Sequence, residues 1–374
     1  MFIVPLVRGG SCRTPIFQTM KSLPQRFPVT GSHRILCAGG CLAALWAGQA
    51  MSAEVNDDWS RNFRLGAQLL FNVKADFSLN GPITVNRQSP GPVGVPGKDH
   101  YYDDGYVRVD NTGNAGGDTS YWGYNNASQI DTVANQLVMK SVRAYEAQEQ
   151  YSDSAGVSPG LDVSYGSQIR DWGSVRIGWE AGYQFTPFTF KDPTTLNTVF
   201  DRDVQAFDLG GIAVPPAPYS GGPSGVGPSI RDIALPRADE IVSGTITGTR
   251  ELDVNLHALR AGATVFWRFQ PKWALSGSLG PAMGLVPGSY TYNETFTFAD
   301  GTKAGESGSM SHTEVVFGGY VSAVLHYRLV SSADVYLGGQ FMGLTSAEFG
   351  NSQREASLDL GATFALSLGV NWPF

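Results

Sequence analysis

Residues 358–374, Leu-Asp-Leu-Gly-Ala-Thr-Phe-Ala-Leu-Ser-Leu-Gly-Val-Asn-Trp-Pro-Phe, alternate between apolar and small or polar side chains up to the last residue. A period of two held over 17 residues predicts a β-strand much longer than the usual five or six. Such a strand needs apolar surroundings on one face and small or polar neighbours on the other. A transmembrane β-barrel provides both, with lipid outside and a packed polar lumen inside.

The end of this strand resembles the assembly signal of bacterial outer-membrane barrels, in which an aromatic residue ends the chain and apolar residues precede it at every second position. The residues that carry the resemblance are Leu366, Leu368, Val370, Trp372 and Phe374. The resemblance implies two partners: outer-membrane lipid, and the barrel-assembly machinery, which would bind the C-terminal strand. Pro373 is compatible with the end of a strand.

The N-terminal segment 1–53 contains no Asp or Glu, five Lys and Arg residues, and an apolar stretch from Ile35 to Ala50. This pattern predicts a secretory signal peptide that is removed from the mature chain. The apolar stretch is about 16 residues long, shorter than the roughly 20 that span a membrane as a helix. Met20 is an alternative start to Met1, and residues 54–374 form a single predicted barrel domain.

The composition of the mature chain excludes several kinds of site. All three cysteines, Cys12, Cys37 and Cys41, lie in the predicted leader, so the rest of the chain has no disulfide, thiolate metal site or cysteine nucleophile. Removing the five basic leader residues leaves 21 basic against 33 acidic residues, a net charge of about −12. This balance argues against a nucleic-acid partner, which requires a basic face.

Seven further segments alternate in the same way, so the sequence predicts an all-β, up-and-down antiparallel transmembrane barrel of eight strands. The predicted strands are 63–73, 160–170, 174–187, 250–269, 272–287, 313–329, 332–346 and 358–374. Short periplasmic turns are predicted near 171–173, 270–272 and 330–332, and long external connections at 75–159, 188–249, about 288–312 and 347–356. An interfacial aromatic girdle on the short-turn side is predicted at Trp59, Trp172, Trp267, Trp273 and Trp372.

Two local features leave alternatives. In strand 250–269 the apolar face changes phase between Ala258 and Leu259, which predicts a β-bulge there. In the first long loop, residues 135–145 have strand character and are predicted to pair with 105–110 as a hairpin above the membrane. If both segments entered the wall, the barrel would have ten strands.

The inward-facing polar residues predict a structural network in the lumen. Its members are Arg64, Arg170, Arg176, Glu180, Asp253, His257, Arg260, Glu314, His326 and Arg328. His257 with Asp253, and His326 with Glu314, could form catalytic pairs, but no serine has a recognisable nucleophile setting beside either histidine. We therefore predict no catalytic, cofactor-binding or metal-binding residue and no cofactor.

As a whole, residues 62–374 resemble small outer-membrane barrels of the OmpX, OmpA-transmembrane and opacity-protein type. The resemblance implies a side-chain-filled barrel in the outer membrane of a Gram-negative-type bacterium. It also implies a non-enzymatic surface, adhesion or envelope-structural role carried by external loops, with an extracellular ligand of those loops as a further partner. A narrow pore is the first alternative, and a lipid-modifying enzyme or protease is the second.

Overall fold

The computed structural model describes residues 61–85, 99–330 and 332–373. Its regular structure is β-strand except for two short 3₁₀ helices, Ala115–Gly117 and Ala127–Gln129, so the all-β prediction is confirmed. Within these ranges no helix has the length and apolar character needed to cross a membrane. The predicted signal peptide, Trp59 and Phe374 lie outside the described residues.

The strands have the following bounds. They are β1 (Arg61–Phe71), β2 (Lys74–Thr84), β3 (His100–Tyr102), β4 (Gly105–Val107), β5 (Asp118–Thr119), β6 (Trp122–Tyr124), β7 (Ile130–Asp131), β8 (Gln136–Ser154), β9 (Val157–Trp172), β10 (Val175–Asp192) and β11 (Leu196–Asp208). They continue with β12 (Tyr219–Ser220), β13 (Ile230–Arg231), β14 (Leu235–Pro236), β15 (Glu240–Arg268), β16 (Trp273–Phe298), β17 (Lys303–Val330), β18 (Ala333–Leu344), β19 (Ala347–Gly350), β20 (Arg354–Asp359) and β21 (Thr363–Pro373).

One set of strands can be followed by antiparallel pairing from β1 back to β1. The order is β1, β9, β10, β15, β16, β17, β18 and β21, and β21 then pairs with β1 from Asn62↔Pro373 to Phe71↔Phe364. We call these the ring strands and the level they occupy the lower level. Each predicted strand overlaps one of them.

The chain continues above the ring strands in the same directions and forms an upper level. There the pairing order is β19, β20, β2, β8, β11, β15, β16 and β17. The prediction that 75–159, 188–249 and 288–312 are loops is therefore wrong for much of their length. For example, β16 and β17 are joined only by residues 299–302. Paired strands satisfy their backbone groups through ladder hydrogen bonds, so polar outward side chains do not prevent them from remaining extended.

The two levels differ in polarity. On β15, even-numbered side chains are buried at both levels: Leu252, Val254 and Leu256 are apolar, whereas Arg260 below them is charged. The polarity of the exposed odd-numbered side chains changes in the opposite direction: Asp253 above is charged, and the residues below are apolar. The exposed apolar residues of the ring strands include Phe63, Leu65, Leu161, Trp179, Leu259, Val265, Leu279, Phe317, Leu337, Phe341, Leu366 and Leu368.

The β-bulge predicted between Ala258 and Leu259 is wrong. Pairing between β10 and β15 is continuous from Val175↔Trp267 to Asp192↔Arg250. The apolar residues move from even-numbered to odd-numbered positions because the inner and outer faces of β15 exchange polarity along the strand. The backbone register stays constant. An exchange of polarity between the two faces and a one-residue shift of the register look alike in a sequence. Each moves the apolar residues from even-numbered to odd-numbered positions.

A small cap lies beyond the upper ends of β8 and β11. Its sheets are β3–β4–β6–β12 and β5–β13, packed around the buried side chains Trp122, Tyr124, Met139 and Phe207. Residues 135–145 lie mainly in β8, which pairs with β2, β7 and β11, whereas β4 pairs with β3 and β6. The predicted pairing of 135–145 with 105–110 is therefore wrong.

Candidate functional site

The interior of the ring strands holds four of the predicted network residues: Arg64, Glu180, Arg260 and His326, all buried. Arg64 forms an ion pair with Glu180, and Arg260 Nη1 lies 2.7 Å from Asp162 Oδ1. Arg260 Nη2 is also 3.6 Å from Glu180 Oε1. Two buried guanidinium groups thus face two carboxylates, which offsets the cost of removing each charge from water.

His326 has a polar and an aromatic neighbour. Its Nε2 lies 2.9 Å from the Ser276 hydroxyl, and its ring centre is 5.6 Å from that of Phe266. Glu314, considered above as a possible catalytic partner, is twelve residues away on β17, or roughly 40 Å along an extended strand. The structure does not bring these two residues together.

Arg176 and Arg328 lie near the short connections at the lower end of the ring. Arg176 Nε is 2.8 Å from Asp171, and Arg328 Nε is 3.5 Å from the buried Asp334. Both guanidinium groups are mostly buried, at 15 % and 17 % exposure. They extend the polar interior to the rim.

Arg170 lies outside this interior. The pairing of β9 with β10 skips Ile169 at a register shift, so β9 carries a bulge. Beyond the bulge Arg170 is exposed, with its guanidinium carbon 5.6 Å from the centre of the Trp172 ring. The prediction of Arg170 as a lumen residue is therefore wrong, because the bulge changes which side chains face inward.

Asp253 and His257 also lie outside the interior, on the outward face of β15. Asp253 accepts a hydrogen bond from Thr189 at 2.6 Å, and His257 Nδ1 is 2.8 Å from the Tyr183 hydroxyl. The two residues are four positions apart on one strand, roughly 13 Å. Both lumen predictions are wrong, and the structure does not bring the two side chains together as a pair.

Little open space remains inside the ring strands. One cavity of about 10 Å³ is lined by residues that include Arg64, Gln184 and Gln340, and another of about 20 Å³ is lined by residues that include Arg176 and His326. Gln184 and Gln340 bridge the interior by two amide hydrogen bonds of 3.1 Å. Each cavity holds about one water molecule.

The upper level contains a buried charge cluster that the sequence analysis missed. Arg250 is 2.8 Å from Asp192 and 2.7 Å from Glu294. Arg354 is 3.2 Å from Glu294 and 2.6 Å from Glu306. All five side chains are at most 5 % exposed, so this cluster forms a polar layer within the apolar upper core.

Aromatic groups complete the surroundings of Arg354. Its Nη2 donates to the Tyr145 hydroxyl at 3.0 Å, and its guanidinium carbon is 4.1 Å from the centre of the Tyr292 ring. Burial acts against the charged form, but Tyr145, Glu294 and Glu306 together raise the pKa of Arg354 above its ordinary value. Arg354 is therefore a permanent charge at the centre of this layer.

An open cleft of about 440 Å³ lies in the upper level, between β17 and the β19–β20 connection. Glu314 has the inward register of β17 but lies at this cleft, above the ring strands, so its predicted place in the lumen network is wrong. His312 Nε2 lies 2.9 Å from Glu314 Oε1. Glu348 and Glu355 line the same cleft, which is thus acidic apart from one histidine.

Two cap carboxylates have opposite pKa shifts. Burial raises the pKa of Asp104 to about 6, although its Oδ1 accepts the Lys140 amide hydrogen bond at 3.0 Å. Burial also acts to raise the pKa of Asp110, but hydrogen bonds from Thr112, Ser120 and Asn114 lower it to about 2. These bonds identify Asp110 as an organiser of the local turns.

No protein-family model and no curated protein matches this sequence. Three similar solved structures are the outer membrane protease OmpT from Escherichia coli, the attachment invasion locus protein Ail of Yersinia pestis in complex with the heparin analogue sucrose octasulfate, and a Pseudomonas aeruginosa FadL homologue. Their sequence identities to this chain are 9 %, 9 % and 10 %, and the TM-scores are 0.32, 0.23 and 0.17. The alignments cover 84 %, 83 % and 84 % of this chain and 96 %, 98 % and 90 % of the other chains.

Proposed function

We propose that the chain is a closed, eight-stranded barrel of the bacterial outer membrane, with the ring strands as its wall. The observation that supports this most strongly is the inversion of polarity along continuous strands. The lower level is apolar outside and charged inside, as lipid requires. The upper level is polar outside, as water requires, and its core is apolar around the one charge cluster of Arg250 and Arg354. A protein in one solvent needs only one of these patterns.

The position of the inversion supports the same proposal. One row of paired outward residues contains Phe185, His257, Leu285 and Val315. Four residues farther up each strand, the paired outward residues are Thr189, Asp253, Ser289 and Ser311. Below it, about ten residues per strand reach the aromatic rim of Trp172, Trp267, Trp273 and Trp372, all at least partly exposed. Ten tilted residues match an apolar band roughly 25 Å tall.

The filled interior favours a closed anchor over a pore. Cavities of about 10 and 20 Å³ are too small for a continuous water channel. An eight-stranded wall is only just wide enough for its own side chains. We therefore assign the function to the upper level and the cap, as a non-enzymatic surface protein that binds an external ligand or stabilises the envelope.

Planar-bilayer conductance of the refolded full chain tests the closed anchor. We expect no steady conductance, because the paired interior charges leave no aqueous path. The Asp162→Ala/Arg260→Ala double variant serves as the matched control: it removes the 2.7 Å interior ion pair and should produce a measurable leak. A steady channel from the unmodified protein would support the pore alternative instead.

A further inference from the structure

The upper half of β17 has an open edge. Residues 303–317 pair with β16 along one side, whereas pairing with β18 begins only at Gly318↔Leu344. Beyond Leu344 the neighbouring chain turns into the β19–β20 hairpin, which pairs with β2. Within the described residues, no strand pairs with β17 on this side above Gly318.

The register shows which main-chain groups face the open edge. The Arg328 amide donates to Lys272 beside β16, while the Phe317 amide and carbonyl both face Thr345 on the other side. Because alternate residues turn to opposite edges, the odd residues from 305 to 315 direct their N–H and C=O groups toward the open side. They cover roughly 34 Å of extended backbone.

This edge has little protection against pairing. The exposed odd residues Gly305, Ser307, Ser309, Ser311 and Thr313 are small, and the segment 304–317 contains no Pro, Lys or Arg. Natural sheets usually block such an edge with a bulge, a proline or a lysine. The β19–β20 hairpin contacts the inner face of β17, where Arg354 meets Glu306 and the Asn351 side-chain amide lies 3.5 Å from the Met310 sulfur.

The acidic cleft beside this edge indicates the charge of a partner. Glu314, Glu348 and Glu355 line it, and His312 contacts Glu314. Among the described residues, neither Glu348 nor Glu355 has a basic side chain within ion-pair distance. A second copy of this chain would bring the same three carboxylates to the contact, and like charges would oppose it.

We infer that the upper edge of β17 binds an extended basic peptide segment of another protein as an added antiparallel strand. Its main chain pairs with the odd residues 305–315, and its Lys or Arg side chains enter the cleft beside Glu348 and Glu355. Main-chain pairing supplies affinity, and alternate side chains supply specificity. The inference rests on the proposed function only in placing β17 above Phe317 outside the bilayer.

Fluorescence anisotropy of a labelled decapeptide of alternating lysine and valine, added to the full chain in lipid nanodiscs at low salt, tests this inference. We expect saturable binding that weakens at least tenfold in the Glu348→Gln/Glu355→Gln variant. Ser309→Pro should also weaken binding strongly, because it removes one edge N–H without touching the pairing to β16. Ser309→Ala is its matched control, since it keeps that N–H, and should bind normally.

The second probe is the same peptide N-methylated at every residue, which removes its main-chain donors on both edges. It should fail to bind; equal binding would mean simple charge attraction and would overturn strand addition. Absent binding of the unmodified peptide, or concentration-dependent pairing of two copies in its place, would also overturn the inference. Circular dichroism and bilayer insertion of every variant show whether the barrel itself is intact, so failed peptide binding is separable from failure of the barrel proposal.

Discussion

Replacing Arg354 with leucine should destabilise the upper level by about 3–5 kcal/mol. The change leaves Glu294 and Glu306 buried beside each other without the guanidinium group that lies 3.2 and 2.6 Å from them. Unfolding of the refolded protein in guanidinium chloride, followed by protease resistance of residues above the ring, measures this loss. The cost should be large because both carboxylates are at most 2 % exposed.

A matched control separates burial from charge. Arg143 contacts Asp201 at 2.6 Å but is 49 % exposed, so Arg143→Leu should change stability little. The triple variant Arg354→Met/Glu294→Gln/Glu306→Gln should recover most of the loss, because no buried charge is left unpaired. Equal effects of Arg354→Leu and Arg143→Leu would contradict the role given to the cluster.

Leu368→Arg should cost about 2–4 kcal/mol of barrel stability in lipid. Leu368 is 64 % exposed on the outward face of β21, midway between Phe364 and Trp372, and it pairs with Ala67 and Leu337. A charge there enters the apolar centre of the bilayer. Urea unfolding in lipid vesicles measures the loss.

The control for this prediction is an outward-facing strand residue of the upper level. Asn255 is exposed on the outward face of β15 above the inversion, so Asn255→Arg should leave stability almost unchanged. Similar costs for Leu368→Arg and Asn255→Arg would mean that lipid does not surround the lower level. Both variants introduce arginine into a β-strand, so the β-strand propensity of arginine cannot explain a difference between them.

The lower level was largely predictable from the sequence because every ring strand has an apolar outward face and a small or polar inward face. The alternation from Phe364 to Trp372 identifies β21, and it places Leu366 outside and Ala365 inside, as the structure does. The predicted outward position of Leu358 and Leu360 is wrong, because both are buried before β21 begins. The lengths of the connections also fix the side on which the short turns lie. Local pattern is sufficient where the same alternation of apolar and polar faces holds on all strands.

The upper level was missed because its outward residues are those of an ordinary loop. Residues 289–297 read as Ser, Tyr, Thr, Tyr, Asn, Glu, Thr, Phe and Thr, yet Tyr290 and Phe296 are fully buried on the inner face. The buried charges were equally hidden, since Glu294 and Arg354 are 60 residues apart in sequence. Only the three-dimensional pairing brings such residues together.

Quenching of single-cysteine labels along β15 tests the central claim most directly. In a chain whose Cys12, Cys37 and Cys41 are changed to serine, a label is placed at Val265, Leu259, Asn255 or Asp253. All four positions share the outward face of one strand. Lipid-borne quenchers should quench labels at Val265 and Leu259 strongly, and labels at Asn255 and Asp253 weakly. Equal quenching at all four positions would contradict a membrane boundary at the polarity inversion, and with it the outer-membrane barrel.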